Sequence, residues 1–202
     1  MTMTVELPAG FADKVVSAQM TFRAVMDAMA RPGAARRVTA GVGTPSPLMR
    51  GTAAIALTLF DHDTPIWLDR TMAATPEVAK WLKFHCGAPV IAESSVCSFA
   101  LAVGGDELSA LDRFSLGSNE YPDRSTTLIL QVGSLSEGRV YELCGPGIEG
   151  TATLRVTIEA EQLFEQLAVN ATLFPRGLDV VLVHDDAVVA IPRTTRLVAK
   201  GG

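Results

Sequence analysis

Two short strings in this 202-residue chain carry groups suited to holding an anion. The first is Ile191-Pro192-Arg193-Thr194-Thr195-Arg196, in which two arginines bracket two hydroxyls after an apolar run. Guanidinium forks and hydroxyl donors together suit phosphate or carboxylate, which makes Arg193, Thr194 and Arg196 the leading candidate ligand residues. With equal weight, those arginines pair with acids of this chain or of a partner. The second string is Leu143-Cys144-Gly145-Pro146-Gly147-Ile148, directly after a strand-like run. Gly145 and Gly147 permit positive φ, and the amides of such a turn can form an anion nest. Pro146 has no N–H to give and no Lys-Ser/Thr follows, so this is not a Walker loop, and a structural turn competes with a binding one.

Other chemistries find less support. His62, His85 and His184 are scattered, Cys86, Cys97 and Cys144 lack CxxC or HxxxH spacing, and no metal set is assigned. Adjacent His85-Cys86 with Cys97 would give poor zinc geometry. No GxSxG elbow occurs, and the His–Asp neighbours at Asp61-His62-Asp63 and His184-Asp185 suit turns, so no catalytic residue is assigned.

Composition narrows the class. Hydrophobic residues make up 48% and charged residues 19%, with a formal net charge of −5 and no run of Lys and Arg, which gives nucleic acid no general attraction. Three cysteines with apolar flanks read as reduced, buried thiols of a cytoplasmic protein. The opening MTMTVELPAGF lacks the charged-then-apolar pattern of a signal peptide, and no apolar run reaches membrane-spanning length.

The elements that must position these strings follow from periodicity. Gln19–Gly33 (QMTFRAVMDAMARPG) reads as a helix packing Phe22, Val25, Met26 and Met29 into the core and stopped by Pro32-Gly33. A loop with one short strand over 34–47 precedes a helix over 48–60 and a short strand within 61–69. Thr75-Pro76-Glu77 opens a helix carrying Val78, Trp81, Leu82 and His85 as far as Gly87. Strands are expected at 96–103, 126–132, 139–144 and 151–158, with 139–144 pairing to 126–132 across the 135–138 turn. A short helical piece is expected at 106–114, a polar loop at 116–124 and a helix at 159–171. Residues 178–184 and 188–191 read as an antiparallel hairpin around Asp185-Asp186. Helices between strands, with hairpins, predict a single α/β domain over 1–202 built on a mixed sheet; an α+β arrangement is the alternative.

The strings FRAVMDAMARPG, DTPIWLD, KFHCGAP, TLILQV, LCGPGI and FPRGLDVVLV…AIPRTTR occur in the order and spacing of the PhnH family, from about Phe11 to Val198. The chain thus resembles a subunit of the bacterial carbon–phosphorus lyase machinery. That resemblance implies partners PhnG, PhnI and PhnJ, a homodimer when isolated, and no nucleic-acid polymer or membrane. It implies a complex that transfers an alkylphosphonate to ribose C1 of a nucleoside triphosphate with loss of the base, giving a ribose 1-phosphonate 5-triphosphate. The implied fold is an α/β/α sandwich resembling the large domain of pyridoxal-phosphate transferases.

A pyridoxal enzyme needs a Schiff-base lysine. Lys14, Lys80, Lys83 and Lys200 do not stand in a Gly/Ser-rich turn just beyond a strand, so a vestigial fold without the cofactor is expected. The competing reading is a stand-alone small-anion (phosphate or nucleotide) binding protein or enzyme with a pocket at a dimer interface.

Overall fold

The computed structural model describes residues 7–38, 41–104, 106–108, 110–160 and 162–199. Lys200, weighed above as a cofactor lysine, lies outside them.

Helix α1 (Lys14–Ala30) starts at Asp13, whose carboxylate accepts the Val15 and Val16 N–H groups and satisfies two donors of the first turn. After β1 (Arg36–Arg37) come α2 (Arg50–Leu59), β2 (Ile66–Leu68), the short α3 (Arg70–Ala73) and α4 (Pro76–Cys86). Pro76 stands in the first turn of α4 and Gly87 ends the helix at φ 74°, a left-handed cap open to glycine. Then follow β3 (Phe99–Ala102), β4 (Thr127–Gln131), β5 (Ser134–Cys144), β6 (Ala152–Thr157), α5 (Gln162–Asn170), β7 (Asp179–His184), β8 (Ala187–Ile191) and β9 (Arg196–Ala199). The expected helical piece at 106–114 consists of two 3-10 turns.

Six strands form a mixed sheet in the order β1-β8-β7-β4-β3-β2, in which β2, β3, β4 and β7 pair parallel and β8 pairs antiparallel with both β7 and β1. The period of two along each strand sorts its side chains to opposite faces. Leu101, Ile129, Val181 and Val183 join α1, α2 and α4 in one apolar cluster. Ala100, Leu128, Leu130, Val180, Leu182 and Ile191 join Leu143, Leu154, Leu163 and Leu167 in the other. One face is therefore covered by helices. The opposite face is covered by the small antiparallel sheet β6-β5-β9 together with α5.

Two expectations are corrected. β5 does not pair with β4; it pairs with β6 and β9 in the second sheet. The reason lies in β4 itself: Leu128–Gln131 are buried throughout, as a central strand requires, and β3 and β7 already take both its edges. The face of α1 is also rotated from the expected one. Thr21, Val25 and Ala28 are buried, while Phe22 and Met26 are about half exposed, at 49% and 51%. Small side chains at 21 and 28 let α1 approach the sheet and α2 closely, and this turns the larger ones outward. β9 was not anticipated.

Candidate functional site

The fold brings the two anion-suited strings side by side. β5 and β9 pair with Cys144 opposite Arg196, so the Gly145–Gly147 turn leaves the sheet where Thr194 and Thr195 enter it. Gly145 sits at φ 145°, and a Cβ there would stand 2.9 Å from the Thr194 carbonyl oxygen. Gly147, at φ 81°, lies against the end of α1; a Cβ would collide with the Ala30 carbonyl oxygen and stand 3.1 Å from Pro32 Cδ. Gly33, at φ 83°, packs on Leu143 in turn. Three segments far apart in sequence thus meet at one corner: the ARPG end of α1, the CGPG turn and the PRTTR run.

At that corner Arg196 is exposed, Thr194 is partly buried, and the Thr195 hydroxyl is buried with no hydrogen-bond partner. Arg31 and Arg36 both pair with Asp27 of α1. Arg193 is placed differently. Its Nε and Nη2 donate to Asp179 at 3.3 and 2.5 Å, Nη1 donates to the Pro122 and Pro175 carbonyls at 2.7 and 3.3 Å, and Nη2 also reaches Ser125 Oγ at 2.6 Å. All five guanidinium donors are used inside the chain. Of the two roles weighed for this arginine it takes the internal pair. Arg196 and Thr194 stand instead at the corner beside the glycine turn.

Asp179 was the residue missed from sequence. The hairpin register, with Val180 opposite Ile191, sets Asp179 beside the exit of β8, and a count outward from Asp185-Asp186 would have found it. Its surroundings are built to match: Asn170 clamps Leu178 through both backbone groups, at 2.9 and 2.8 Å, and Gly177 fits against the Asn170 amide.

The C-terminal ends of the parallel strands, where open α/β sheets usually take ligands, are filled by the chain itself. Gln131 at the end of β4 accepts from Met49 N at 2.7 Å and donates to the Pro47 carbonyl at 2.8 Å, stoppering the start of α2. The Asp185 carbonyl takes the Gly51 N–H, and the Asp185 carboxylate takes Arg50 through Nε and Nη2. The Arg50 hydrogen bond holds Asp185 below the usual carboxylate range. At the end of β2, Asp69 is buried and accepts from Met72 N and Val103 N. Burial pushes its carboxyl up against the pull of those N–H groups.

The three histidines go separate ways. His62 is exposed beside Asp63, His85 meets the Pro8 carbonyl at 3.0 Å, and His184 meets the Val132 carbonyl at 3.0 Å. Trp81 Nε1 donates to the same Pro8 carbonyl at 2.9 Å, so the KFHCGAP string helps tie the N-terminal segment down. Among the described residues no group of three or more His, Cys, Asp or Glu converges on a point. Cys86, Cys97 and Cys144 are free thiols, only Cys97 is fully buried, and burial pushes Cys86 up to about 12. Lys83 Nζ donates to the Gly87 carbonyl on the far end of α4. No described helix is long and apolar enough to cross a membrane.

A family model described as bacterial phosphonate metabolism protein (PhnH) matches residues 9–198. The chain is 40% identical over 198 residues to alpha-D-ribose 1-methylphosphonate 5-triphosphate synthase subunit PhnH of Rhizobium meliloti (strain 1021), covering 98% of each chain. It is 31% identical over 183 residues to the protein named "Putative C-P lyase subunit protein HtxG" of Stutzerimonas stutzeri, covering 91% of this chain and 87% of that one.

Proposed function

The chain belongs to the PhnH family, and on that footing we propose that it is a subunit of the assembly that makes ribose 1-phosphonate 5-triphosphates during phosphonate breakdown. The observation that carries this is 40% identity, over nearly the full length, to a protein named as such a synthase subunit. The complex transfers an alkylphosphonate to ribose C1 of a nucleoside triphosphate and releases the base. This chain works in the cytoplasm beside PhnG, PhnI and PhnJ, and pairs with itself about a two-fold axis when alone. The half-exposed Phe22 and Met26 on α1 supply apolar surface for such contacts.

Residues 1–202 act as one domain, a reading supported by a single six-stranded sheet that backs both apolar clusters. The chain contributes no complete catalytic set of its own. Its anion-binding corner is Arg196 and Thr194 with Gly145 and Gly147, while Arg193 braces the neighbouring loops. The fold is a relative of the pyridoxal-phosphate transferase large domain that has no use for the cofactor. Two findings support that: Lys80 and Lys83 lie on α4 rather than at a strand end, and the start of α2 is stoppered by Gln131.

The test is an omission assay. The assembly is purified with and without this chain and given methylphosphonate and nucleoside triphosphate, and the product is read by phosphorus NMR. Product formation that depends on the chain is expected. Equal product without it would overturn the proposal.

A further inference from the structure

At the N-terminal ends of β3 and β4, opposite the stoppered end of the sheet, lies a cavity of about 540 Å³. Its polar lining includes Ser98, Ser115, Asp123, Arg124, Ser125 and Thr127. This volume falls in the range of small-ligand sites, ~300–1,000 Å³.

The wall formed by the 115–125 loop is held by its own bonds. Ser115 Oγ donates to the Arg124 carbonyl at 2.7 Å, Thr126 N donates to the Ser115 carbonyl at 2.8 Å, and Tyr121 N donates to Ser118 Oγ at 3.0 Å. Gly117, at φ 71°, lets the loop close on itself, since a Cβ there would stand 2.9 Å from the Pro122 carbonyl oxygen. The same loop rests on Arg193, which holds the Pro122 carbonyl and Ser125 Oγ. The arginine first considered as a ligand residue is thus the brace behind this wall.

The hydrogen-bond senses decide what the wall offers. Ser125 Oγ already accepts from Arg193, so its own hydrogen is left to donate. The Arg124 guanidinium lies over the Tyr121 ring at 4.2 Å, which fixes its plane at the mouth. Ser98 and Thr127 add hydroxyls. Against these donors stands one carboxylate, Asp123, the natural acceptor for sugar hydroxyls.

We propose that this cavity is a binding site for a phosphorylated sugar, with phosphate oxygens on Arg124 and the Ser98, Ser125 and Thr127 hydroxyls and the sugar hydroxyls on Asp123. The choice of ribose as the sugar rests on the function proposed above; the pairing of an anion with a polyol rests on the lining alone.

The full chain is titrated with ribose 5-phosphate, ribose and inorganic phosphate by calorimetry and two-dimensional NMR. Ribose 5-phosphate is expected to bind about 10-fold or more tightly than either part, because charged and neutral hydrogen bonds are then made together. Arg124→Gln is expected to weaken it by about 10-fold and Thr127→Val by several-fold, with unfolding temperatures unchanged. Thr58→Val serves as the control and leaves binding intact: the Thr58 hydroxyl donates to the Ala54 carbonyl on α2, away from this cavity. Three results would each overturn the proposal: no binding at 10 mM, phosphate binding as tightly as the sugar phosphate, or affinity indifferent to both Arg124→Gln and Thr127→Val. Should Arg124→Gln fail to fold, Thr127→Val and Ser98→Ala carry the test. The omission assay is read independently, so loss of this site would leave subunit membership standing.

Discussion

The carboxylate of Asp179, at the first position of β7, grips Arg193, just beyond β8, through both its backbone N–H at 2.8 Å and its guanidinium. With both side chains mostly enclosed, at 14% and 17% exposure, the pair locks the mouth of the hairpin and reaches across to the 115–125 loop. Removing the Arg193 side chain strands the Asp179 carboxylate and frees the Pro122 and Pro175 carbonyls. Arg193→Ala is expected to cost about 3 kcal/mol of stability in urea denaturation. Arg193→Lys should recover only part, since an ammonium cannot span Asp179, Ser125 and Pro122 at once. A cost below about 1 kcal/mol for Arg193→Ala would refute the bracing role.

Gly147 makes the second prediction. Its positive φ and the carbonyl of Ala30 leave no room for a side chain. Gly147→Ala is expected to cost about 2 kcal/mol or more and to loosen the end of α1, read as faster amide exchange at Arg31 and Gly33. Gly150, also at positive φ but with open space around it, supplies the comparison: Gly150→Ala should cost less.

The rotated face of α1 is tested by neighbours on one helix. Phe22→Ser should change stability by about 1 kcal/mol or less, whereas Val25→Ser, at a 7% exposed position, should cost about 3 kcal/mol. Comparable costs of about 3 kcal/mol at both positions would restore the face expected from periodicity, which packs both side chains.

Asp69 gives a pH signature. Burial, the largest influence, raises its folded carboxyl above the ordinary value. Between the two values the folded state holds more protons, so this group's contribution to stability falls as pH rises through that interval. Asp69→Asn abolishes that slope and leaves one of the Met72 and Val103 N–H groups without its carboxylate oxygen. The stability advantage of the native protein over Asp69→Asn should therefore shrink from pH 4 upward. An advantage that grows with pH would mean the hydrogen bonds outweigh burial.

Much of the fold was legible because its elements announce themselves locally. Pro76 and Gly87 bound α4, and Asp185-Asp186 marks the β7–β8 hairpin, with Asp185 at φ 52°. The strand at Thr127–Gln131 was legible, but its partners were not. A fully apolar run says that a strand is central without saying which strands flank it, and the 135–138 turn that suggests β5 as its partner lies inside β5 itself. The site divides along the same line. Glycines at 145 and 147 and the Arg-Thr-Thr-Arg run stood out by type, and their meeting at the end of α1 required the β5–β9 pairing. The role of Arg193 turned on Asp179, a residue without a motif.

The most direct measurement is co-expression of this tagged chain with PhnG, PhnI and PhnJ from the same organism, followed by affinity capture, a high-salt wash and native mass spectrometry. A single stoichiometric assembly containing all four chains is the predicted result. Recovery of this chain alone, as monomer or dimer, with the other three assembled elsewhere, would contradict subunit membership and return the Arg196 corner to an independent ligand-binding protein.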